Sequence, residues 1–291
     1  MALDSTSNAT ELTAEQVSTV LVQPLADRSV FLSSGVQIID TAGPLRLPLG
    51  AGSTSPQWYG QNEQISDDDP SFDEITLLPT TMKSVKVMTR FSNELARQSV
   101  VALDAALRAR LVQDVADVID AQLLGAGGDG VEKPRGLFAY PGTQAVAVDG
   151  PLSLDHLVDA EGMALAENVS EGSLAWVMTP REFTALRKVK DTSERYQLQP
   201  DPTRAGGFTL FGHRVIVTKR VPDTAGATPT GRAALVDFSQ VVVARDASPS
   251  VKILDQTYGD FDQQAIRVVA RYDAAPVKPE AVVKLTGIEI V

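Results

Sequence analysis

The chain has 291 residues, 43% apolar and 22% charged, the balance of a folded globular protein with room for one large domain or two ordinary ones. It has no cysteine and only two histidines, His156 and His213, which excludes a disulfide framework, thiolate zinc sites, iron–sulfur clusters, a cysteine nucleophile and a histidine-rich metal centre. The net charge of −11 is uneven: residues 1–82 hold eleven acids against Arg28 and Arg46, and the first lysine is Lys83, so an acidic front section, poorly suited to binding phosphate, precedes a nearly neutral body.

Residues 1–11 are small and polar without periodicity, as in a flexible tail. They lack the basic start and apolar stretch of a secretory signal, and no apolar run in the chain reaches the roughly 18 residues of a membrane helix. Thr13 and Gln16 have capping-box spacing and predict a short helix through about Leu25. Residues 30–50 alternate weakly and contain Pro44 and Pro48, so extended chain is expected. Residues 51–74 mix Gly, Ser, Pro and acids around an isolated Trp58–Tyr59 pair, and alternation returns over 75–90. Two extended arms flanking a polar tip predict a long hairpin that projects from the body.

From Phe91 the apolar period becomes helical. Phe91, Leu95, Val100, Leu103, Leu107, Leu111, Val115, Val118, Ile119 and Leu123 are mostly three or four apart, with Ser92 placed to cap. The pattern predicts a beam of roughly 30 residues, about 45 Å long at 1.5 Å per residue, that stops at Gly125–Gly130. A short extended piece follows over 136–148. Ser153 opens a helix running to about Asn168, and Leu174–Met178 is a buried strand. Thr179, Pro180 and Glu182 form a capping-box pattern with proline first, predicting a helix to about Val189. Residues 191–208 form a polar loop. Residues 208–222 suggest a strand pair or a bent strand, and 234–246 another strand. Residues 265–273 and 281–291 alternate like antiparallel partners joined through 275–279. The fold class is α+β.

The motifs argue against catalysis. Gly125–Gly130 matches G-x-G-x-x-G, but it follows a helix instead of opening one, so it is expected to terminate the helix rather than bind a dinucleotide. Asp67, Asp69, Ser71 and Asp73 have calcium-loop spacing, but Phe72 stands at the glycine position and Leu78 at the bidentate acid, leaving a solvated acidic tip. No G-x-S-x-G is present, and both histidines are expected to be structural. No catalytic, cofactor or metal residue is assigned. A well-folded chain with a projecting acidic hairpin and a long helix suggests an assembly protein.

In that order, the segments resemble the major capsid proteins of tailed bacteriophages with the Hong Kong 97-type fold. The resemblance runs from about Glu15 to Val291. It rests on Leu124–Gly130 with Lys133-Pro134-Arg135-Gly136-Leu137, on Trp176–Pro180, and on Leu210–Val217 with Val221-Pro222. It rests also on Asp237–Ser239 and on Ala265–Asp273 through Pro279–Leu285. Arg214 stands where the family usually has proline. The resemblance implies an N-terminal arm (1–30) and an extended hairpin loop (45–84) lying over a neighbouring subunit. It implies a peripheral domain (85–136 and 244–291, with a spine helix 91–124) and an axial domain (137–243). It implies a virion protein, not an enzyme, assembled in the host cytoplasm into hexamers and pentamers of an icosahedral head. Its implied partners are other copies, a scaffolding protein, a portal and a decoration protein. Packaged double-stranded DNA would be enclosed without sequence-specific binding, and no membrane or cofactor is implied. Scaffolding would come from a separate protein, or from a longer precursor if Met1 is not the true start. The alternative within the fold is an encapsulin-like nanocompartment shell. Candidate intersubunit residues are Trp58, Tyr59, Asp67, Asp68 and Asp69. Some relatives weld their shells through a hairpin lysine and a neighbour's asparagine. Residues 45–82 contain no lysine and residues 244–291 no asparagine, so a non-covalent shell is expected.

Overall fold

The computed structural model describes residues 25, 28–49, 57–62, 64, 73–94, 103–198, 208–225, 228–246, 250–254 and 259–290. Of the short helix expected from Thr13 to about Leu25, Leu25 alone lies among them, and it is helical. A 3-10 turn at Leu32–Ser34 leads into β1 (Gln37–Thr41). β2 (Leu45–Leu49) and β3 (Asp73–Leu77) then pair antiparallel, with Leu45 opposite Leu77 and Leu49 opposite Asp73. This is the expected hairpin, but its second arm ends earlier than alternation suggested. Leu78 has a positive φ of 52°, and the Met82 amide bonds back to the Pro79 carbonyl, so the chain turns. Residues beyond it form a separate strand, β4 (Val85–Ser92).

The helical pattern opened two residues early, for Asn93 and Glu94, directly after the expected cap Ser92, are helical. Phe91 and Ser92 close β4, and the described helix α1 spans Leu103–Leu123. Ser92 still serves as a cap, its hydroxyl accepting from the Glu94 amide at 3.1 Å. The expected end is correct. Gly128 has φ +98°, and a Cβ there would lie 2.0 Å from the Pro134 carbonyl oxygen, so this turn requires glycine. Asp129 organises the turn, its Oδ1 accepting the Val131, Glu132 and Lys133 amides at 2.9–3.0 Å. The G-x-G-x-x-G match is therefore a helix-ending loop.

A six-stranded sheet has the order β5-β14-β9-β6-β8-β7. Its strands are β5 (Gln144–Gly150), β6 (Leu174–Met178), β7 (Thr209–Leu210), β8 (His213–Val217), β9 (Gly231–Asp237) and β14 (Val282–Ile288). Helix α2 (Leu154–Ala166) is capped as expected at Ser153, with His156 completing the box. Helix α3 (Pro180–Arg187) begins at Thr179 without the expected box: no side-chain bond caps it, and Thr179 Oγ1 is buried without a partner. Glu182, needed for the reciprocal bond, instead accepts from Arg181 at 2.6 Å.

Two further expectations are corrected. Residues 234–246 hold two strands, β9 and β10 (Val241–Asp246), separated by the 3-10 turn Phe238–Gln240 that Asp237 caps through Ser239. β10 lies between β1 and β13 (Tyr272–Pro276) in another sheet. The last alternating segments are not partners. β12 (Gln263–Ala270) pairs with β4 and with β11 (Ser250–Leu254), whereas β14 pairs parallel with β5 and antiparallel with β9. Alternation reports a half-buried strand; it does not say which strand lies beside it. β14 thus shares a sheet with strands of residues 144–237, although it was expected with the other C-terminal strands.

The largest core packs Leu111, Val115, Ile119 and Leu123 of α1 with Val236, Phe238, Ile266 and Val268. A second core surrounds Trp176 beneath α2, and a smaller one seats the hairpin root: Leu77, Leu78, Met82, Val242, Ala244 and Ala275.

Candidate assembly surfaces

Among the described residues, the hairpin is anchored at its root. Leu45, Leu47 and Ile75 pack partly against the small core at its root. Farther out, Trp58 is fully exposed and Tyr59 is half-buried. Asp67, Asp68 and Asp69 lie outside the described residues. At the root, the Leu78 amide donates to Asp273 Oδ2 and the Ala274 amide to Asp273 Oδ1, both at 2.9 Å. Asp273 is 2% exposed, and burial pushes its carboxyl up to about 6, against the pull of the two amides and Arg135. Burial, reinforced by the nearby Asp273 charge, pushes the Tyr140 hydroxyl upward.

A second carboxylate holds the segment preceding β1. Asp120, buried in α1, accepts from Ser29 Oγ at 2.5 Å, the Val30 amide at 2.8 Å and the Phe31 amide at 3.2 Å. Burial raises its pKa against those donors. Arg28 adds a bond to the Ala109 carbonyl at 2.8 Å. Both acids look like surface residues in the sequence; no motif marks them, and the folded register alone makes them anchors.

The histidines have structural partners. His156 completes a helix cap, and His213 Nε2 lies 3.2 Å from Glu161 Oε1. Among the described residues, no group of acids and histidines could hold a metal ion, and no helix is long and apolar enough to cross a membrane. Several basic residues that could meet an acidic tip are engaged within the chain. Arg181 bonds both Glu182 and Asp223, which raise its pKa; Arg187 stacks over Phe208 at 4.8 Å, and Lys190 over Tyr196 at 5.3 Å. A groove of about 480 Å³ lies between α1 and β4, lined by Val85, Val87, Val115, Val118 and Ile119 with Lys83 and Lys86. It is open and largely apolar, suited to a polypeptide segment more than to a small polar substrate.

The chain matches the phage capsid family over residues 10–287. It is 24% identical to the major capsid protein of Klebsiella oxytoca phage phiKO2, over 95% of this chain and 68% of that one. Its fold is similar to the capsid of a native GTA particle, with a TM-score of 0.73 and 19% identity over 89% of this chain and 90% of that one. It is also similar to a structure from Microbacterium phage Oxtober96, with a TM-score of 0.68 and 15% identity over 98% and 95%.

Proposed function

This chain belongs to the phage capsid family, and from that premise we propose that its work is association, as the shell subunit of an icosahedral phage head. It is a structural capsid protein, a component of the virion. In the proposed head, copies form hexamers and pentamers around enclosed double-stranded DNA. Residues 1–30 act as an arm and 45–84 as the hairpin loop; residues 85–136 and 244–291 form the peripheral part around α1, and 137–243 the axial part. β14 is the exception to that division, since it completes the axial sheet. A scaffolding protein and a portal would take part in assembly in the host cytoplasm, and a decoration protein would bind afterwards.

The observation that carries this reading is a family match from residue 10 to 287 joined to a hairpin whose Trp58 lies in solvent. A solitary subunit gains nothing from such an aromatic; an interface does. The proposed shell is non-covalent. Lys83, at the foot of the hairpin, is paired with Glu132, and Asn93 donates to Asp262 at 2.6 Å. Neither is presented as a nucleophile or an electrophile to another subunit. Negative-stain microscopy of the purified protein should show closed shells of uniform diameter, and particles boiled in denaturing detergent should run as one band near 31.0 kDa. Monodisperse monomer under all assembly conditions would refute the shell, and a ladder of covalent multimers would refute its non-covalent character.

A further inference from the structure

Helices α2 and α3 start from the same backbone but not from the same cap. Ser153, before α2, is extended (φ −114°, ψ 166°), and His156 closes its capping box. Thr179, before α3, is extended as well (φ −79°, ψ 160°), and Glu182 follows three residues later, yet the box stands open. Thr179 Oγ1 and Glu182 Oε2 are both buried without a hydrogen-bond partner, in residues only 8% and 2% exposed. Two orphaned polar atoms, one at each end of an unmade motif, carry a cost that another interaction must offset.

The offset comes from Arg181 and Gly231. Arg181 Nη2 and Nε donate to Glu182 Oε1 at 2.6 and 3.1 Å, while its Nη2 and Nη1 donate to the Asp223 carboxylate at 2.7 and 3.2 Å. That pose has room only because residue 231, at the head of β9, is glycine: a Cβ there would lie 2.2 Å from Glu182 Oε1 and 3.1 Å from Arg181 Nη2. Gly231 is not among the glycines with positive φ, so the position uses the missing side chain and not the backbone freedom. If Glu182 swings back toward Thr179, the carboxylate gains the Thr179 amide and Thr179 Oγ1 gains the Glu182 amide. Arg181 then keeps both bonds to Asp223, so no charge is stranded. Each arrangement satisfies what the other leaves out, and a rotation of one side chain separates them. We propose that Glu182 is a two-position switch at the start of α3, held open by Arg181 over Gly231 and closing the capping box with Thr179 when Arg181 is drawn away. The Arg181 side chain is 35% exposed, so a carboxylate of another molecule that engages it favours the closed arrangement.

Thermodynamic cycles built on Thr179→Val test it, because that substitution removes the hydroxyl and keeps the shape. In the otherwise wild-type chain the hydroxyl is unpartnered, so denaturant unfolding should show Thr179→Val lowering the folding equilibrium constant by less than about twofold, or raising it. In an Arg181→Gln background, and separately in Gly231→Ala, the box should be closed, and the same substitution should lower that constant about fivefold. Arg181→Gln carries the test alone if Gly231→Ala does not fold. Amide hydrogen exchange gives an independent reading: the Thr179 and Glu182 amides should exchange more slowly in Arg181→Gln than in wild type, by about fivefold. An effect of Thr179→Val that is the same in every background, large or small, overturns the proposal. Faster exchange of both amides in Arg181→Gln also overturns it, since the pair with Arg181 would then be what holds the start of α3 together.

Discussion

Two strand regions, one a continuous apolar run and the other an alternating pair, lie in opposite surroundings. In β6 all five residues are buried, with a strand on either side and cores on both faces. In the hairpin, β2 and β3 have only each other as strand neighbours among the described residues, and Trp58 is wholly in water. Trp176 and Trp58 make the contrast within one residue type: the first is fully buried with its indole N–H on the Leu210 carbonyl at 3.2 Å, the second fully exposed. Burial stabilises by area removed from water, at about 25 cal/mol per Å². The sheet and the hairpin root have already gained that stabilisation within one subunit; Trp58 can gain it only against another molecule.

That contrast is broken most severely at the sheet. Trp176→Ala should lower subunit stability by about 3–5 kcal/mol, through lost burial and a cavity, as measured by denaturant unfolding. At the hairpin root, Asp273→Ala removes the acceptor for the Leu78 and Ala274 amides and should loosen residues 73–82 by about 2 kcal/mol. Amide hydrogen exchange should show faster exchange there than in β6, whereas equal acceleration everywhere would make the root part of the global core. At the tip the order reverses. Trp58→Ala with Tyr59→Ala should leave subunit unfolding within about 0.5 kcal/mol of wild type but weaken each intersubunit contact by about 2 kcal/mol, read as the protein concentration needed for assembly.

The smallest effect comes from protonation. The Asp273 carboxyl rises in the folded protein to about 6 from 3.8, so the folded state takes up its proton first as pH falls. Its contribution therefore favours folding progressively from pH 7 downward and is complete below the unfolded value. Between pH 7 and 5 the gain should be on the order of 1 kcal/mol. Asp120 shifts in the same direction and adds to it. Asp273→Asn should remove the Asp273 share, so the slopes of stability against pH for the two proteins should differ in that window. Parallel slopes would show that Asp273 does not titrate there.

Legibility followed the same divide. The buried run of β6, the Ser153 cap and the end of α1 at Gly125 all depend on neighbours a few residues away, and the sequence pattern located them. The hairpin was legible because its polar tip interrupts two alternating arms. What failed depended on distant chain. The Thr179 box was lost because Glu182 accepts from Arg181, which also bridges to Asp223 forty-odd residues away. The pairing of β14 with β5 was hidden because its alternation fits any neighbour. Trp58 and Tyr59 are placed in the hairpin as expected, but what they touch in a shell lies beyond one subunit.

The position of β14 bears on the order in which the sheet folds. A ribosome delivers the chain from its N-terminus, and β5, β6, β8 and β9 all emerge before β14, which belongs between β5 and β9. Until residues 282–288 have been made, those two strands present open edges to each other across an empty slot. Completing the sheet requires a strand separated from β5 by more than a hundred residues, a slow closure in conformational search. The sheet is therefore finished only when this late strand has been placed between two that were made well before it.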